Sequence, residues 1–301
     1  MIKLKSAIIN VTALLVCMGF ASCEQDAVNV DIPIIEPKLV LQSFISPQDT
    51  QIKVYVSLSR PVYNSNINNN GWITDADVKI SDGLTTKQLS FDGLSGTKYT
   101  LHTSQMPIVA GKTYTLMVNT KDGRSAKATC TVPYPTDTAS LSYKWDTTAN
   151  RNDNDGNIAR TVRLNMSWND IAGGINYYRA GASVRVIETT GAPNETLQNM
   201  YGPSYSDLQT DKNKDGQKMT INDLSAEVNE QIGGTVVGFS FRPVGIRIHL
   251  LSCDENYYKY HISAVNNGSD PFSEPTLVFS NVQGGLGCFG AYNGYIKIIS
   301  F

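Results

Sequence analysis

From residue 38 onward, apolar and polar residues alternate with a period of two. In QIKVYVSL, residues 51 to 58, the apolar side chains of Ile52, Val54, Val56 and Leu58 share one face. The same alternation occurs in TYTLMV, VRLNMSW and GIRIHL, and the chain closes with the alternating stretch YIKIISF. Alternation of this kind is typical of half-buried strands in antiparallel sheets. The pattern therefore predicts an all-β protein.

Turn signals separate these stretches. Asp-Gly pairs stand at 82–83, 92–93, 122–123, 155–156 and 215–216, and this dipeptide favours tight hairpin turns. A helical period is confined to SAEVNEQI, residues 225 to 232, which fits one or two turns at most. Trp168 occupies an apolar strand position, which predicts that it points inward. Many short strands with such turns indicate two tandem β-sandwich (immunoglobulin-like) domains.

Two prolines interrupt the strand pattern in VPYPTD, residues 132 to 137. Proline cannot donate a hydrogen bond to a ladder, so a sheet is expected to end there. The predicted organisation is a signal peptide over 1–22, an acidic flexible tether over 23–36, an N-terminal β-sandwich over 37–134 and a larger C-terminal β-sandwich over 135–301.

The first 22 residues have the character of a targeting segment. Lys3 and Lys5 are followed by an uncharged run from Ala7 to Ala21, which is too short to span a membrane comfortably and suits a cleaved signal peptide. The residues FASC, ending at Cys23, resemble a bacterial lipobox. This resemblance implies that Cys23 becomes the mature N-terminus and carries acyl chains, which anchor a protein in a bilayer. The alternative is an ordinary secretory signal followed by a chance cysteine.

The stretch after Cys23 is acidic and contains no basic residue before Lys38. It resembles the acidic tether that directs lipoproteins of Bacteroidota to the outer face of the outer membrane. We therefore expect a lipid-anchored protein of the outer membrane that faces the cell exterior. A merely solvated, disordered linker is the simpler interpretation of the same residues.

The net charge and the absence of catalytic motifs make several classes of function less favourable for this chain. With 25 Lys and Arg against 27 Asp and Glu, the formal net charge is -2, so no basic field favours nucleic acid and we expect none as a partner. The sequence contains no nucleophile elbow, zinc-protease helix or phosphate loop. The prediction is a non-enzyme without catalytic residues or cofactors. Paired carboxylates brought together by a fold would escape sequence motifs, which keeps a glycan- or peptide-active enzyme as a weaker alternative.

The three histidines do not form a metal-ligand pattern. His102, His249 and His261 lie in separate segments, and no two of them have the spacing of a zinc site. His249 and His261 are assigned to strand positions opposite the apolar faces. We expect both to face solvent.

The segment DKNKDGQKMTIND, residues 211 to 223, resembles a calcium loop. Asp211, Asn213, Asp215 and Gly216 match the first, third, fifth and sixth positions of such a loop. The twelfth position, which should be a bidentate Glu, is Asn222. A polar hairpin turn is therefore the favoured interpretation, and calcium binding remains a weak candidate. No other metal is predicted.

Three cysteines follow Cys23 in the chain. Cys130 shares a strand face with Ala126 and Ala128, which indicates burial as a small apolar residue. Cys253 and Cys288 both fall in the predicted C-terminal sandwich. An exported protein permits a disulfide between them, and two separate thiols are the alternative.

The carboxyl-terminal stretch YYKYHISAVNNGSDPFSEPTLVFSNVQGGLGCFGAY resembles the Bacteroidota outer-membrane lipoprotein family catalogued as domain of unknown function 4249. EPKLVLQSFISP, VPYPTD and WNDIAGGINYYR fit the same family. The resemblance implies a lipoprotein that is often encoded beside a TonB-dependent transporter, and it assigns no catalytic residue. The motif predicts a loop that either packs on the sandwich or docks on a transporter; its members are Asp270, Pro271, Phe272, Glu274, Pro275, Gly284, Gly285 and Gly287.

Together these observations predict a surface-exposed, non-enzymatic binding or accessory subunit associated with a TonB-dependent transporter. An adhesin or pilus-type structural subunit is the main alternative, because such proteins also combine sandwiches and exchange a terminal strand. YIKIISF, residues 295 to 301, is the candidate for that strand.

Overall fold

Strands form where the sequence alternates, and they make up most of the chain. The computed structural model describes residues 36–60, 71–94, 96–152, 157–189, 194–202, 206–231, 240–266 and 277–301. The strands are β1 Leu39–Ile45, β2 Gln51–Leu58, β3 Asp77–Ser81, β4 Thr86–Gln88, β5 Ser90–Asp92, β6 Lys98–His102, β7 Thr113–Asn119, β8 Ser125–Thr131, β9 Ser142–Asn152, β10 Asn157–Asn169, β11 Tyr177–Glu188, β12 Glu195–Asn199, β13 Leu208–Thr210, β14 Lys218–Gln231, β15 Phe241–Cys253 and β16 Gly285–Ser300. With 59% strand and 6% helix, the prediction of an all-β sandwich protein is confirmed.

Glycine and aspartate make several of the turns, as the Asp-Gly pairs predict. Gly83, Gly123 and Gly216 adopt φ angles of 88°, 87° and 69°, a region that favours glycine. The side chain of Asp82 accepts hydrogen bonds from the backbone of Leu84 and Thr85, at 3.1 and 2.8 Å. The predicted turn at 155–156 lies outside the described residues.

Three sheets organise these strands. The largest has nine strands, ordered β12-β11-β15-β16-β1-β2-β6-β5 with β13 beside β11. The second has the order β4-β3-β7-β8 and the third β14-β10-β9. The smaller sheets accompany two separate cores, and the large sheet contributes strands to both.

The first core is formed by strands from residues 39 to 132 and by a contribution from the chain end. Leu41, Val54 and Tyr114 are fully buried in it, and Phe289 of β16 joins them. In β8, Ala126, Ala128 and Cys130 face this core together, which confirms the prediction for Cys130. The first core therefore depends on residues more than 150 positions away along the chain.

The second core lies among β10, β11, β14 and β15. Trp168 is completely buried there, with its ring centroid 5.6 Å from that of Tyr178 in an edge-on arrangement. The prediction that Trp168 points inward is confirmed. The stretch SAEVNEQI was predicted to form helical turns, but Ser225 to Gln231 belongs to β14. Its alternating Ala226 and Val228 fill the second core, so packing on this face determines a strand.

One α-helix, α1, spans Glu255–Asn266 in the described part of the chain. Asp254 begins it, since Asp254 Oδ1 accepts a hydrogen bond from the backbone N–H of Tyr257 at 2.8 Å, which satisfies a free donor of the first turn. His261 was predicted on a strand facing solvent, but it lies in α1. Its ring stacks on Tyr257 at 4.1 Å and contacts Phe44 at 4.8 Å.

β16 joins the two halves of the chain. It pairs with β1 in parallel through residues 285 to 291 and with β15 in antiparallel through residues 292 to 300. Residues 37 to 301 form one compact unit. The sequence predicts sandwiches over 37–134 and 135–301. Along the chain, this boundary falls between the strands of the first core and those of the second core, and the division into two domains stays a prediction. The described residues include no helix long and apolar enough to cross a membrane.

Candidate functional site

An open groove of about 1080 Å³ crosses the large sheet on the face opposite both cores. Successive side chains of β16 point to opposite faces of the sheet. Phe289, Ala291 and Ile299 pack in or against the cores, and Tyr292 and Ile296, which point to the other face, line the groove. Side chains from β1, β2, β11, β12, β15 and β16 form its surface, and α1 contributes Tyr257 and Val265. The groove is a candidate binding site because it is concave and combines apolar with charged groups.

A charged network lies at the floor of the groove. Arg179 Nε donates to Asp207 Oδ2 at 2.6 Å, and its Nη1 donates to the Tyr257 hydroxyl at 3.0 Å. Burial raises the pKa of Tyr257 to about 12. The phenol therefore stays protonated and Arg179 is neutralised by Asp207. This network positions α1 against β11.

His249 lies beside this network on β15. Burial, and then the positive charge of Arg179, lower its pKa to about 4. It is consequently neutral at physiological pH. His249 was predicted to face solvent; it does lie opposite the apolar face of β15, but it is half-buried in the groove.

The other charged groups of the groove differ in whether they have partners. Both carboxylate oxygens of Asp49 accept from the Tyr292 hydroxyl, at 3.3 and 3.2 Å, and burial raises the pKa of Asp49. Lys53 and Arg247 also line the groove. Among the described residues, neither of these two cations forms an ion pair.

A second cluster lies outside the groove, around the predicted calcium loop. Carboxylate oxygens of Asp170, Asp211 and Asp215 lie within 4.8 Å of one another. The first two residues are buried, at 8% and 1% exposure, and the third is exposed. The structure thus brings together two members of the sequence motif and adds Asp170 from the end of β10.

Backbone and side-chain donors hold the three carboxylates in place. Asp170 accepts from the Tyr178 hydroxyl at 2.5 Å and from the Gly216 N–H at 2.7 Å. Asp211 accepts from the Asn176 N–H at 2.8 Å. Burial raises the pKa of Asp211, and the neighbouring Asp170 raises it further. Oxygen ligands of this type suit a hard cation such as calcium, and calcium binding here stays a prediction.

A family model described as "Domain of unknown function (DUF4249)" matches residues 25–297. The chain belongs to this family. The resemblance seen in the sequence is thereby confirmed at the level of the family. None of the curated proteins matches this chain.

The glycines of the DUF4249 motif have a structural position. Gly285 and Gly287 were predicted in a loop, but they lie in β16 and pair with Leu39 and Leu41 of β1. Gly284 directly precedes the strand. A Cβ at Gly287 would overlap the carbonyl oxygen of Leu41, and its φ of 104° is one that side chains rarely adopt. Glycine is therefore required here so that β16 can approach β1 closely.

The remaining motif residues, Asp270, Pro271, Phe272, Glu274 and Pro275, lie outside the described residues. The predicted docking role of this segment stays a prediction. Cys23, the signal peptide and nearly all of the acidic tether lie outside them as well.

The two cysteines considered for a bridge are free and buried in this DUF4249 protein. Cys253 Sγ points to the carbonyl oxygen of Leu251 at 3.7 Å, and Cys288 Sγ points to that of Asn256 at 3.5 Å. The suggested disulfide is therefore wrong, and the alternative of two separate thiols is correct. Burial raises the pKa of both thiols well above the ordinary value, so both stay protonated.

Sequence reasoning did not find the charged groups of the groove or the contribution of Asp170. Arg179 and Arg247 occupy strand positions opposite apolar residues, where a charged side chain is ordinarily read as solvent-facing. A signal was nevertheless present: the outward face of β15 carries Arg247, His249 and Leu251 in alternation, a mixture that is unusual for a purely solvated face.

Proposed function

We propose that this DUF4249 protein is a non-enzymatic binding subunit, held at the outer face of the outer membrane by lipid on Cys23, that serves as an accessory to a TonB-dependent transporter. The open groove on the large sheet is the observation that carries the binding role. It lies beside α1 on the face of the large sheet opposite the two cores, and it combines exposed apolar side chains with cations. Sites of this composition are typical of recognition surfaces.

The chemistry of the groove supports binding over catalysis. Arg179 and Asp207 are engaged with each other, Asp49 is engaged with Tyr292, and His249 has a pKa of about 4. A general base works best with a pKa near the operating pH, which His249 does not have. These groups fit a role in shaping a surface.

The membrane role is supported by the lipobox-like residues that end at Cys23. Metabolic labelling with an alkyne fatty acid tests it, with Cys23→Ala as the variant and Cys130→Ala as the matched control. We expect label on the native chain and the control only, and co-purification of a TonB-dependent transporter with the labelled chain from detergent-solubilised outer membranes. Recovery of the native chain as an unlabelled soluble periplasmic monomer would contradict the proposal.

The position of β16 weighs against the adhesin alternative. Donor-strand exchange needs a terminal strand that can leave its own domain. YIKIISF is the last part of β16, where residues 295 to 300 pair with β15 and Ile299 packs against the second core, so the segment would have to break this pairing and packing in order to leave.

A further inference from the structure

Arginines on the groove face of the large sheet differ in their partners. Arg179 is paired with Asp207 at 2.6 Å, and Arg185 is paired with Glu195 through two bonds of 2.7 and 2.9 Å. Arg247, on the neighbouring strand β15, has no ion pair among the described residues. Because guanidinium groups bind carboxylates in a bidentate manner, Arg247 is available to an external carboxylate.

Apolar side chains surround Arg247 on the same face. The strand register places Ile298 directly opposite Arg247 and Ile296 opposite His249. Ile296 and Ile298 are 48% and 56% exposed, and Leu197 on β12 is 48% exposed. Exposed aliphatic residues around an unpaired cation favour a ligand that alternates apolar and acidic groups.

The length of the groove indicates a polymer. The strand pairing gives the level of each end of the groove along β16. At one end, Tyr55 pairs with Gln42, and Gln42 pairs with Cys288 of β16. At the other end, Arg247 pairs with Ile298 of β16. Along the strand direction these levels are ten residues apart, which corresponds to about 33 Å at 3.3 Å per residue. Because α1 packs on β16 at Cys288 and Gly290, the first end of the groove lies over β1 and β2. An extended chain of about ten residues matches that length.

The side chains of the groove favour a peptide over a saccharide. The groove has aromatic residues such as Tyr55 and Tyr201 as well as the aliphatic Leu197, Val265 and Ile296. Its cations favour a ligand with carboxylates, which an acidic peptide provides and a neutral saccharide does not.

Lys53 of β2, which forms no ion pair among the described residues although its charge acts on Asp49, lies toward the opposite end from Arg247. The carboxylates of Asp49 and Asp207 are engaged by Tyr292 and Arg179, so the two cations favour a ligand that carries carboxylates at two separated points.

We propose that the groove binds an extended segment of a partner protein, about ten residues long, in which carboxylates that contact Arg247 and Lys53 flank apolar side chains. This inference rests on the proposed binding function and specifies the chemistry of its partner. Ile296 receives the central apolar side chains, while Arg179 and Asp207 hold the floor in shape.

The test uses a capped, fluorescent peptide with the sequence ESISVSISES and the purified full-length chain in detergent. In an extended peptide the two glutamates and the apolar residues share one face, and the glutamates are about 26 Å apart. The control peptide carries glutamine in place of both glutamates. Fluorescence anisotropy gives the dissociation constants.

We expect the glutamate peptide to bind more tightly than the glutamine peptide, and more weakly as salt rises from 50 to 500 mM. Arg247→Gln and Lys53→Gln should each weaken binding by about fivefold to twentyfold, because each removes a hydrogen-bonded charge pair. Lys87→Gln, on β4 outside the groove, should leave binding unchanged. Circular dichroism melting of the variants separates loss of binding from loss of fold.

Equal binding of the two peptides, or no effect of either groove variant, would overturn the inference. Binding of maltoheptaose that Arg247→Gln leaves intact would replace the peptide with a saccharide and overturn it as well. The two proposals fail separately. An unacylated chain that still binds the peptide removes the membrane role alone. An acylated chain that co-purifies the transporter but binds the two peptides equally removes the peptide groove alone.

Discussion

Replacing Gly287 by alanine tests the structural role of the motif glycines. The new methyl group meets two obstacles, a φ of 104° and the carbonyl oxygen of Leu41. Left-handed backbone costs a side chain about 1–2 kcal/mol, and forcing an extra carbon into a packed position costs about 1–3 kcal/mol. We therefore expect Gly287→Ala to lower the free energy of unfolding by about 2–5 kcal/mol.

Two matched substitutions separate these contributions. At Gly83, φ is 88° and a Cβ meets nothing within 4 Å, so Gly83→Ala carries the backbone strain alone. At Gly174 the space is also open and φ lies outside the unfavourable region, so Gly174→Ala should change stability by less than about 0.5 kcal/mol.

Urea unfolding followed by tryptophan fluorescence provides the measurement, since Trp168 is buried in the second core. The expected order of destabilisation is Gly287→Ala, then Gly83→Ala, then Gly174→Ala. If Gly287→Ala cost no more than Gly83→Ala, the close approach of β16 to β1 would not be what requires glycine, and the structural explanation of the motif would be refuted.

Three further predictions concern buried polar groups. Burial raises the pKa of Asp254 from 3.8 to about 6, so the folded protein favours the protonated carboxyl group. The free energy of unfolding therefore falls as pH rises through this window, by up to about 3 kcal/mol. Asp254→Asn keeps the helix cap but does not titrate, so we expect its melting temperature to change less between pH 4 and 7 than that of the native chain. Asp211→Asn removes one of two adjacent buried charges, so its melting temperature in a chelator at pH 7.5 should exceed that of the native chain, and a lower value would contradict the assigned repulsion. Tyr178→Phe removes the hydroxyl that donates to Asp170 at 2.5 Å, which should cost about 1–3 kcal/mol in urea unfolding; an unchanged midpoint would show that this bond does not stabilise the fold.

The strands were predictable because their periodicity is strong and local. QIKVYVSL coincides with β2 and TYTLMV lies within β7. Helix α1 was missed because ENYYKYHISAVN is rich in aromatic and β-branched residues, which favour strands. Its start signal was present in Asp254 followed by Glu255, yet the apolar positions alone did not reveal it.

The groove could not be predicted because its residues come from distant strands. Lys53 and Arg247 share a face only through the pairing of β1 with β16, and a parallel pairing between the two ends of a chain leaves no local pattern. The motif glycines show the same limit. Their flexibility was apparent from the sequence, but the backbone that they approach is known only once Leu39 and Leu41 are placed beside them.

The central position of β16 has a consequence for when the chain can fold. Because β16 separates β1 from β15 and supplies Phe289 and Ala291 to the first core, neither half of the large sheet is complete until the last residues are available. Contacts of such long sequence separation form slowly. A nascent or translocating chain that lacks residues 285 to 301 is therefore kept from its native topology, and the large sheet is completed only after the whole chain has been released.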